Sequence, residues 1–531
     1  MPDYLTLYDT TLRDGAQTQG VQFTADEKRE IAGLLDGLGI DCIEGGWPGA
    51  NPTDSEFFER PPTLRAKLSA FGMTKRAGRS AENDDVLAAV LNAGTDIVCL
   101  VGKSHVGHAT QALGITPDEN LDNIRASVAH VVAQGRACLF DAEHFFDGFD
   151  ADPGYAKACV VSALEAGASA AVLCDTNGGT MPRRISAAVE ALDIEGKRLG
   201  IHTHDDTGQA VAGTLAAVEA GVRHVQGTLN GLGERTGNAN LVTLIPTLVL
   251  KTPYRDTVRT GVTEDALEGL LRVSRRLDDI LNRVPRRESP YVGASAFAHK
   301  AGLHASAVVK DPGLYEHVPP EAVGNTRVVP MSNQAGLSNL RARLAAAGLE
   351  GNDPQLRGIL QDVKVREDRG YTYDGAQASF ELLARKALNR LPSFFEVKRY
   401  RVTVERRKNK RDAMVSLSEA VVVVKIDGEK RMSVSDSLES GSDAGPVNAL
   451  SKALSKDLGR YQDAIADMAL VDFRVRIMQG GTEAVTRVII DHEDGQGRRW
   501  STVGVSANIV DASFEALLDA IRWKLCAETG A

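Results

Sequence analysis

The chain has 531 residues, long enough for two or three domains, and 43% of them are apolar, enough to build substantial cores. Its 61 basic against 71 acidic residues leave a formal charge of −10, which excludes a general nucleic-acid or anionic-membrane surface but not a local basic pocket. No apolar run has the length of a membrane helix, and the opening MPDYLTLYDTTLRDG lacks the basic-then-apolar layout of a leader.

From residue 5 to about 250 one pattern repeats. A short apolar run ends in polar or glycine residues, and a stretch of helical spacing follows. The runs are LTLYDTTLRDG (5–15), DCIEGGW (41–47), AKLSAFG (66–72), DIVCLVG (96–102), ACLFDAEHFF (137–146), AAVLCDTNGG (170–179), LGIHTHDD (199–206) and HVQGTLNGLGE (224–234). Eight strands alternating with helices over about 250 residues predict an α/β fold, a (β/α)₈ TIM barrel over residues 1–255. An open doubly wound sheet is the alternative, but the GxGxxG expected after its first strand is absent, and GLGERTG (231–237) has another spacing.

Residues 256–395 read as helical connecting subdomains, interrupted by the loop-rich KDPGLYEHVPPEAVGNTR. The last part repeats internally. KRYRVTVERR, VSLSEAVVVVKIDG and KRMSVSD precede the helix GPVNALSKALSKDLG; VDFRVRIMQGG, EAVTRVIIDHEDG and RWSTVGVSANI precede DASFEALLDAIRWKL. Two βββα units predict an α+β C-terminal domain over 396–531, with a role in ligand sensing or assembly; the alternative is a dimerisation module and nothing more. Six cysteines form no CxxC, and Cys42, Cys99, Cys138 and Cys174 sit in strand-like runs. That predicts buried, reduced thiols in a cytoplasmic protein.

IHTHDD (201–206) sets two histidines one residue apart, so in a strand His202 and His204 face one way with Thr203 behind them. Alone, the pair is either a metal site or an ordinary histidine pair. In a barrel, chemistry gathers where the strands end. The first run ends in Arg13 and Asp14, the second in Glu44, and the fifth in Asp141 and Glu143. The sixth ends in Asp175 and Thr176, the seventh in His202 and His204, and the eighth leads to Glu234, Arg235 and Asn238. This convergence favours the metal reading. A mixed nitrogen and oxygen donor set suits Mn²⁺, Mg²⁺, Zn²⁺ or Co²⁺ without choosing among them. VGKS (101–104) is no phosphate loop, because Ile97 stands where the required glycine belongs. His105 and His108 either line the mouth of the site or are solvated loop residues.

DTTLRDGAQ (9–17), HTHDD (202–206) and GLGERTGNANL (231–241) resemble the signatures of the acyl-CoA condensing branch of the DRE-TIM metallolyases. That branch holds isopropylmalate, homocitrate and citramalate synthases. IEGGWPGANPTDSEFF (43–58), FDAEHFFDGF (140–149) and LCDTNGG (173–179) are most similar to the (R)-citramalate synthase group with a long regulatory tail. The resemblance implies an acyltransferase that converts the acyl group to alkyl on transfer: a metal-dependent Claisen condensation of acetyl-CoA with pyruvate, then thioester hydrolysis. Its product would be (R)-citramalate, on the way to isoleucine.

The resemblance also implies roles. Asp14, His202, His204 and Asn238 would hold the metal, and Asp14 would also bind substrate. Arg13 would face the keto oxygen, Glu143 the oxo acid or a catalytic water, and Thr176 the substrate carboxylate. His304, in HKAGLHASAV, and Tyr315, in GLYEHVPPE, would be catalytic, supplied in relatives by the partner of a dimer. Ala16 and Asp205 replace the glutamate and asparagine usual in isopropylmalate synthases. Leu100, Phe71 or Phe145 would narrow the pocket, and isoleucine would be the effector of the tail. Deleting residues after about 395 would then leave catalysis and remove inhibition. The alternatives are a 2-isopropylmalate synthase, an acyl-CoA lyase of the same superfamily, or an inactive amino-acid sensor.

Overall fold

Eight strands pair in chain order and close on themselves: β1 (Thr6–Asp9), β2 (Cys42–Glu44), β3 (Lys67–Met73), β4 (Ile97–Lys103), β5 (Ala137–Glu143), β6 (Ala170–Asp175), β7 (Leu199–Thr203) and β8 (His224–Gly227). Every pairing is parallel, and β8 returns to β1 through Thr6–His224 to Asp9–Gly227. A closed ring has no edge, which removes the open-sheet alternative. This is a computed structural model that describes residues 2–299, 304, 307, 308, 310–328, 331, 336–408, 414–438, 445–478 and 485–530. The chain forms two compact units, Met1–Phe297 with Val318–Arg327, and Ala298–His317 with Val328–Ala531.

Alternation sorts the barrel side chains. On β4, Ile97, Cys99 and Val101 cluster with Tyr8, Cys42, Phe71, Leu139 and Ala170 from five other strands, which places them inside the ring. Val98 and Leu100 belong instead to the large core that the strands share with the surrounding helices. Those helices start on caps written in the sequence: Thr24 closes a capping box on Ala25–Leu38, Asp84 caps Asp85–Asn92, and Asp152 caps Pro153–Glu165.

In the second unit, β9 (Glu396–Lys408), β10 (Met414–Ile426) and β11 (Glu429–Leu438) form one antiparallel sheet, followed by the helix Pro446–Ser455. Strands β12 (Ala469–Ile477), β13 (Thr486–Glu493) and β14 (Arg499–Ser506) form the other, followed by Ile509–Thr529. The two βββα units are therefore present, although the ends of the runs VDFRVRIMQGG and EAVTRVIIDHEDG fall outside the described residues. Helices Leu337–Ala346, Asp353–Asp368 and Gln377–Ala387 share a core that also takes in Val503 of β14. All six cysteines are free and buried. Among the described residues no helix is long and apolar enough to cross a membrane.

Candidate active site

The polar groups meet at the C-terminal rim of the barrel. Strand β1 stops at Asp9, five residues before Asp14, and the chain turns: Thr10 N donates to Gly227 O at 2.9 Å and Asp14 N to Thr10 O at 2.8 Å. Asp9 pins this turn by accepting from Thr11 N at 2.9 Å and Thr11 Oγ1 at 2.7 Å. On β7, Thr203 Oγ1 donates to Ala210 O at 3.0 Å in the outer layer, so His202 and His204 project inward on either side of it. His204 forms a single backbone bridge with Asn238, and Ala239 N donates to Thr203 O at 2.9 Å. The loop after β8 is thus clipped along β7. At Gly233 (φ 149°) any Cβ would lie 2.1 Å from Asn238 Oδ1, which reserves the position for glycine.

These segments bring four buried side chains together. His202 Nε2 lies 3.3 Å from Asp14 Oδ2 and 3.3 Å from His204 Nε2. Asn238 Nδ2 lies 3.0 Å from Asp14 Oδ2 and 3.3 Å from His202 Nε2. Among the described residues, Asp14, His202 and His204 are the one group of three acidic, histidine or cysteine side chains spaced to hold a metal ion. Two further details fit a divalent cation. Two imidazole nitrogens facing each other need a proton or a cation between them. Asn238 Oδ1 is buried without a partner, and turning that amide aims its oxygen into the cluster.

The charges agree with this. Burial would push the Asp14 carboxyl up, but Arg13 and His202 outweigh it and hold it well below the usual carboxylate range. Burial lowers His204 to about 4, with His202 adding to the effect. Burial also disfavours charge on His202, but its bond to Asp14 prevails and raises it.

Arg13 Nε donates to Glu44 Oε2 at 2.6 Å, its Nη1 lies 3.3 Å from Asp14 Oδ2, and its guanidinium sits 4.0 Å from the centre of the Phe71 ring. Glu143 ends β5 and forms an ion pair with Lys103, so the carboxylate that grips Arg13 is Glu44 rather than Glu143. Thr176 follows β6, and its Oγ1 accepts from His144 N at 2.8 Å, which leaves its proton for another acceptor. His105 and His108 do not stand alone in solvent: their rings lie 5.0 Å apart, and His108 lies 4.0 Å from His144.

His304 and Tyr315 belong to the second unit, where their rings approach to 4.5 Å and both are exposed. The expected pocket wall needs correction. Phe71 is an interior residue beside Arg13, with Trp47 edge-on at 5.5 Å. Leu100 and Phe145 lie in the helix-packed core and cannot line the rim. Two polar side chains at the site were not anticipated, Lys103 and Gln226. Both could have been found by parity, since Lys103 shares a side of β4 with Cys99 and Val101, and Gln226 shares a side of β8 with His224.

Comparison with known proteins places this geometry. The HMGL-like family model matches residues 4–271, the homocitrate synthase post-HMGL domain-like model 291–371, and the LeuA allosteric (dimerisation) domain model 374–525. The (R)-citramalate synthase of Streptomyces coelicolor is 46% identical, covering 99% of this chain and 97% of that protein. The one from Synechocystis sp. is 44% identical, covering 98% and 96%, and the one from Aquifex aeolicus 41%, covering 99% and 98%. With identity of that order running end to end through barrel, connecting region and tail, the chain belongs to the (R)-citramalate synthase family.

Proposed function

We propose that the chain condenses acetyl-CoA with pyruvate and hydrolyses the thioester, releasing (R)-citramalate and CoA toward isoleucine. The observation that carries this is the buried Asp14–His202–His204 cluster with Arg13 beside it, at the rim where barrel enzymes do their chemistry. A divalent cation (Mn²⁺, Mg²⁺, Zn²⁺ or Co²⁺) held by Asp14, His202, His204 and Asn238 would polarise the 2-oxo acid as a Lewis acid, typically worth several kcal/mol.

The chain's own groups do the rest. The planar fork of Arg13, fixed by Glu44, binds the keto oxygen and stabilises the negative charge that grows there. Thr176 Oγ1 donates its proton to the substrate carboxylate. His304, or Glu143 through a water, removes a proton from the acetyl methyl group, a step worth roughly 10²–10⁴-fold when positioned. Tyr315 orients the His304 ring it touches. The methyl carbon bonds to the ketone carbon, and the former keto oxygen takes up a proton. Water then adds to the thioester carbonyl, the C–S bond breaks, and CoA leaves as the thiol.

In this reading residues 1–255 carry the catalytic barrel, 256–395 the connecting subdomains and 396–531 a regulatory and dimerisation domain. A homodimer is supported by the LeuA-type match and by apolar residues left open on the tail sheets, such as Met432, Val475 and Ile477. Within that dimer His304 and Tyr315 come from the partner subunit. An isoleucine effector is supported by a tail cavity of about 220 Å³ lined by Ser455, Met468, Leu470, His492 and Ile521, where His492 Nδ1 is buried without a partner. Six free thiols fit a cytoplasmic enzyme.

The test is release of free thiol by the purified chain with Mn²⁺, acetyl-CoA and a panel of 2-oxo acids. Release with pyruvate alone is expected. Preference for ketoisovalerate would make the chain a 2-isopropylmalate synthase, and no release with any acid would reject a synthase.

A further inference from the structure

Strand pairing sets Ile201 against Val225, so the next residues, His202 and Gln226, stand side by side inside the barrel. Gln226 Oε1 lies 2.8 Å from His202 Nδ1, and Gln226 Nε2 donates to Asp141 Oδ1 at 3.0 Å. Gln226, Asp141 and His202 are 0%, 3% and 4% exposed, so bulk solvent does not reach these bonds. Their directions follow from chemistry. Burial raises the Asp141 carboxyl, and the charges of His202 and Arg13 oppose it; its ionised oxygens accept, so beside them Gln226 turns its NH₂ toward Asp141 and its oxygen toward His202. An amide oxygen cannot donate, so Nδ1 of His202 carries the ring proton. The lone pair of a neutral His202 then resides on Nε2, the atom that faces Asp14 and His204.

We infer that Gln226 is a positioning residue: locked by Asp141, it fixes the tautomer of His202 and thereby presents Nε2 to a divalent cation. The inference rests on the metal reading above and goes one layer behind it. Without that acceptor the proton is free to settle on Nε2, where it competes with the cation. Each binding event must then move it, and ring rotation is no longer restrained.

Gln226→Met keeps the length of the side chain and removes the acceptor. Gln226→Glu restores one oxygen toward His202, sharing a proton with Asp141 because two adjacent carboxylates do not both ionise. The readout is the Mn²⁺ dissociation constant of the metal-stripped full chain, from the EPR signal of free Mn²⁺, beside the melting curve of the same sample. Q226M is expected to bind about 10- to 100-fold more weakly while still folding, its metal-free melting temperature lowered by the donor that Asp141 loses, and Q226E to recover most of the lost affinity. Asp141→Asn, which lets the Gln226 amide turn, is expected to lose about tenfold and serves if Q226M does not fold. Wild-type affinity in Q226M or D141N, or equal weakness in Q226M and Q226E, would overturn the inference and leave Gln226 as packing. A wild type that takes up no Mn²⁺ would overturn the metal reading together with it.

Discussion

Arg13 donates through Nε to Glu44 at 2.6 Å, inside a site where the Glu44 carboxylate has no exposure to solvent. Glu44 is itself anchored by the Tyr8 hydroxyl, which donates to Oε1 at 2.8 Å. Burial pushes the Glu44 carboxyl up, and Arg13 opposes that push, so the two charges depend on each other. A lysine at 13 would keep the charge but lose the fork that serves Glu44 and a substrate oxygen together. Arg13→Lys is expected to lower kcat/KM by about 10²–10³ with a small change in melting temperature, read from steady-state thiol release beside a melt.

Acceptor choice should respond to Phe71 and ignore Leu100. Phe71 lies in the interior beside Arg13, whereas Leu100 is buried among the helices. Phe71→Leu opens space at the rim and should raise the preference for 2-oxobutyrate over pyruvate by about tenfold, since one methylene is worth about 1–3 kcal/mol. Leu100→Ala should cost about 3 kcal/mol of stability by leaving a cavity, with the substrate ratio unmoved. Relative kcat/KM values and urea unfolding of both variants decide it; a shifted ratio in Leu100→Ala would return that residue to the wall.

The eight-strand barrel was legible because each strand is a compact apolar run that ends in polar residues. Where the reading failed, non-local geometry was the cause. LTLYDTTLRDG looks like one long strand because Leu12 extends its apolar run, yet Leu12 is buried in a turn, after β1 has already ended at Asp9. Leu100 looked like a pocket residue because apolar character alone does not say which face of a strand it occupies; counting parity from Cys99 would have placed it outside. Phe145 fell past the end of β5, in a helix. The histidine cluster was readable from spacing, since period two leaves His202 and His204 no choice but to share a side. The Glu44–Arg13 and Lys103–Glu143 pairings were not, because each joins separate segments whose local sequence says nothing of the partner.

Acid should loosen the protein through buried histidines outside the metal cluster. His224 is buried against the Tyr8 ring at 5.3 Å, and its Nε2 has no partner; burial lowers it to about 4. His492 in the tail is lowered to about 4 for the same reason. The folded values lie below the unfolded value near 6.5, so the unfolded chain binds more protons between about 4 and 6.5. Stability is therefore complete above about 6.5 and falls as the pH drops toward 4, by up to about 3 kcal/mol per histidine. Urea midpoints measured from pH 7.5 to 5 should fall, and His224→Phe should flatten the fall. A midpoint independent of pH in this window would contradict the assignment.

Removing the tail should do more than remove the proposed inhibition. The helices of the connecting region are roofed by the tail itself: Tyr373, Phe380 and Leu388 share a core with Val503 of β14. Three residues spaced four apart on the helix Ile509–Thr529 add a polar seam. Tyr371 donates to Glu515 at 2.7 Å, Ser379 to Asp519 at 2.8 Å, and Trp523 Nε1 to Glu381 at 2.9 Å. A chain ending at 395 would expose that core, at about 1.5–3 kcal/mol for each large side chain returned to water. Such a chain is expected to bind a hydrophobic dye, melt at a lower temperature and release thiol more than tenfold more slowly. His492→Leu in the full chain changes the cavity lining and leaves Val503 and the polar seam in place, so it should keep its activity while altering any response to the proposed isoleucine effector. A monodisperse 1–395 chain with full activity would mean that the connecting helices stand without their cover, and that sensing and support are separable at that point.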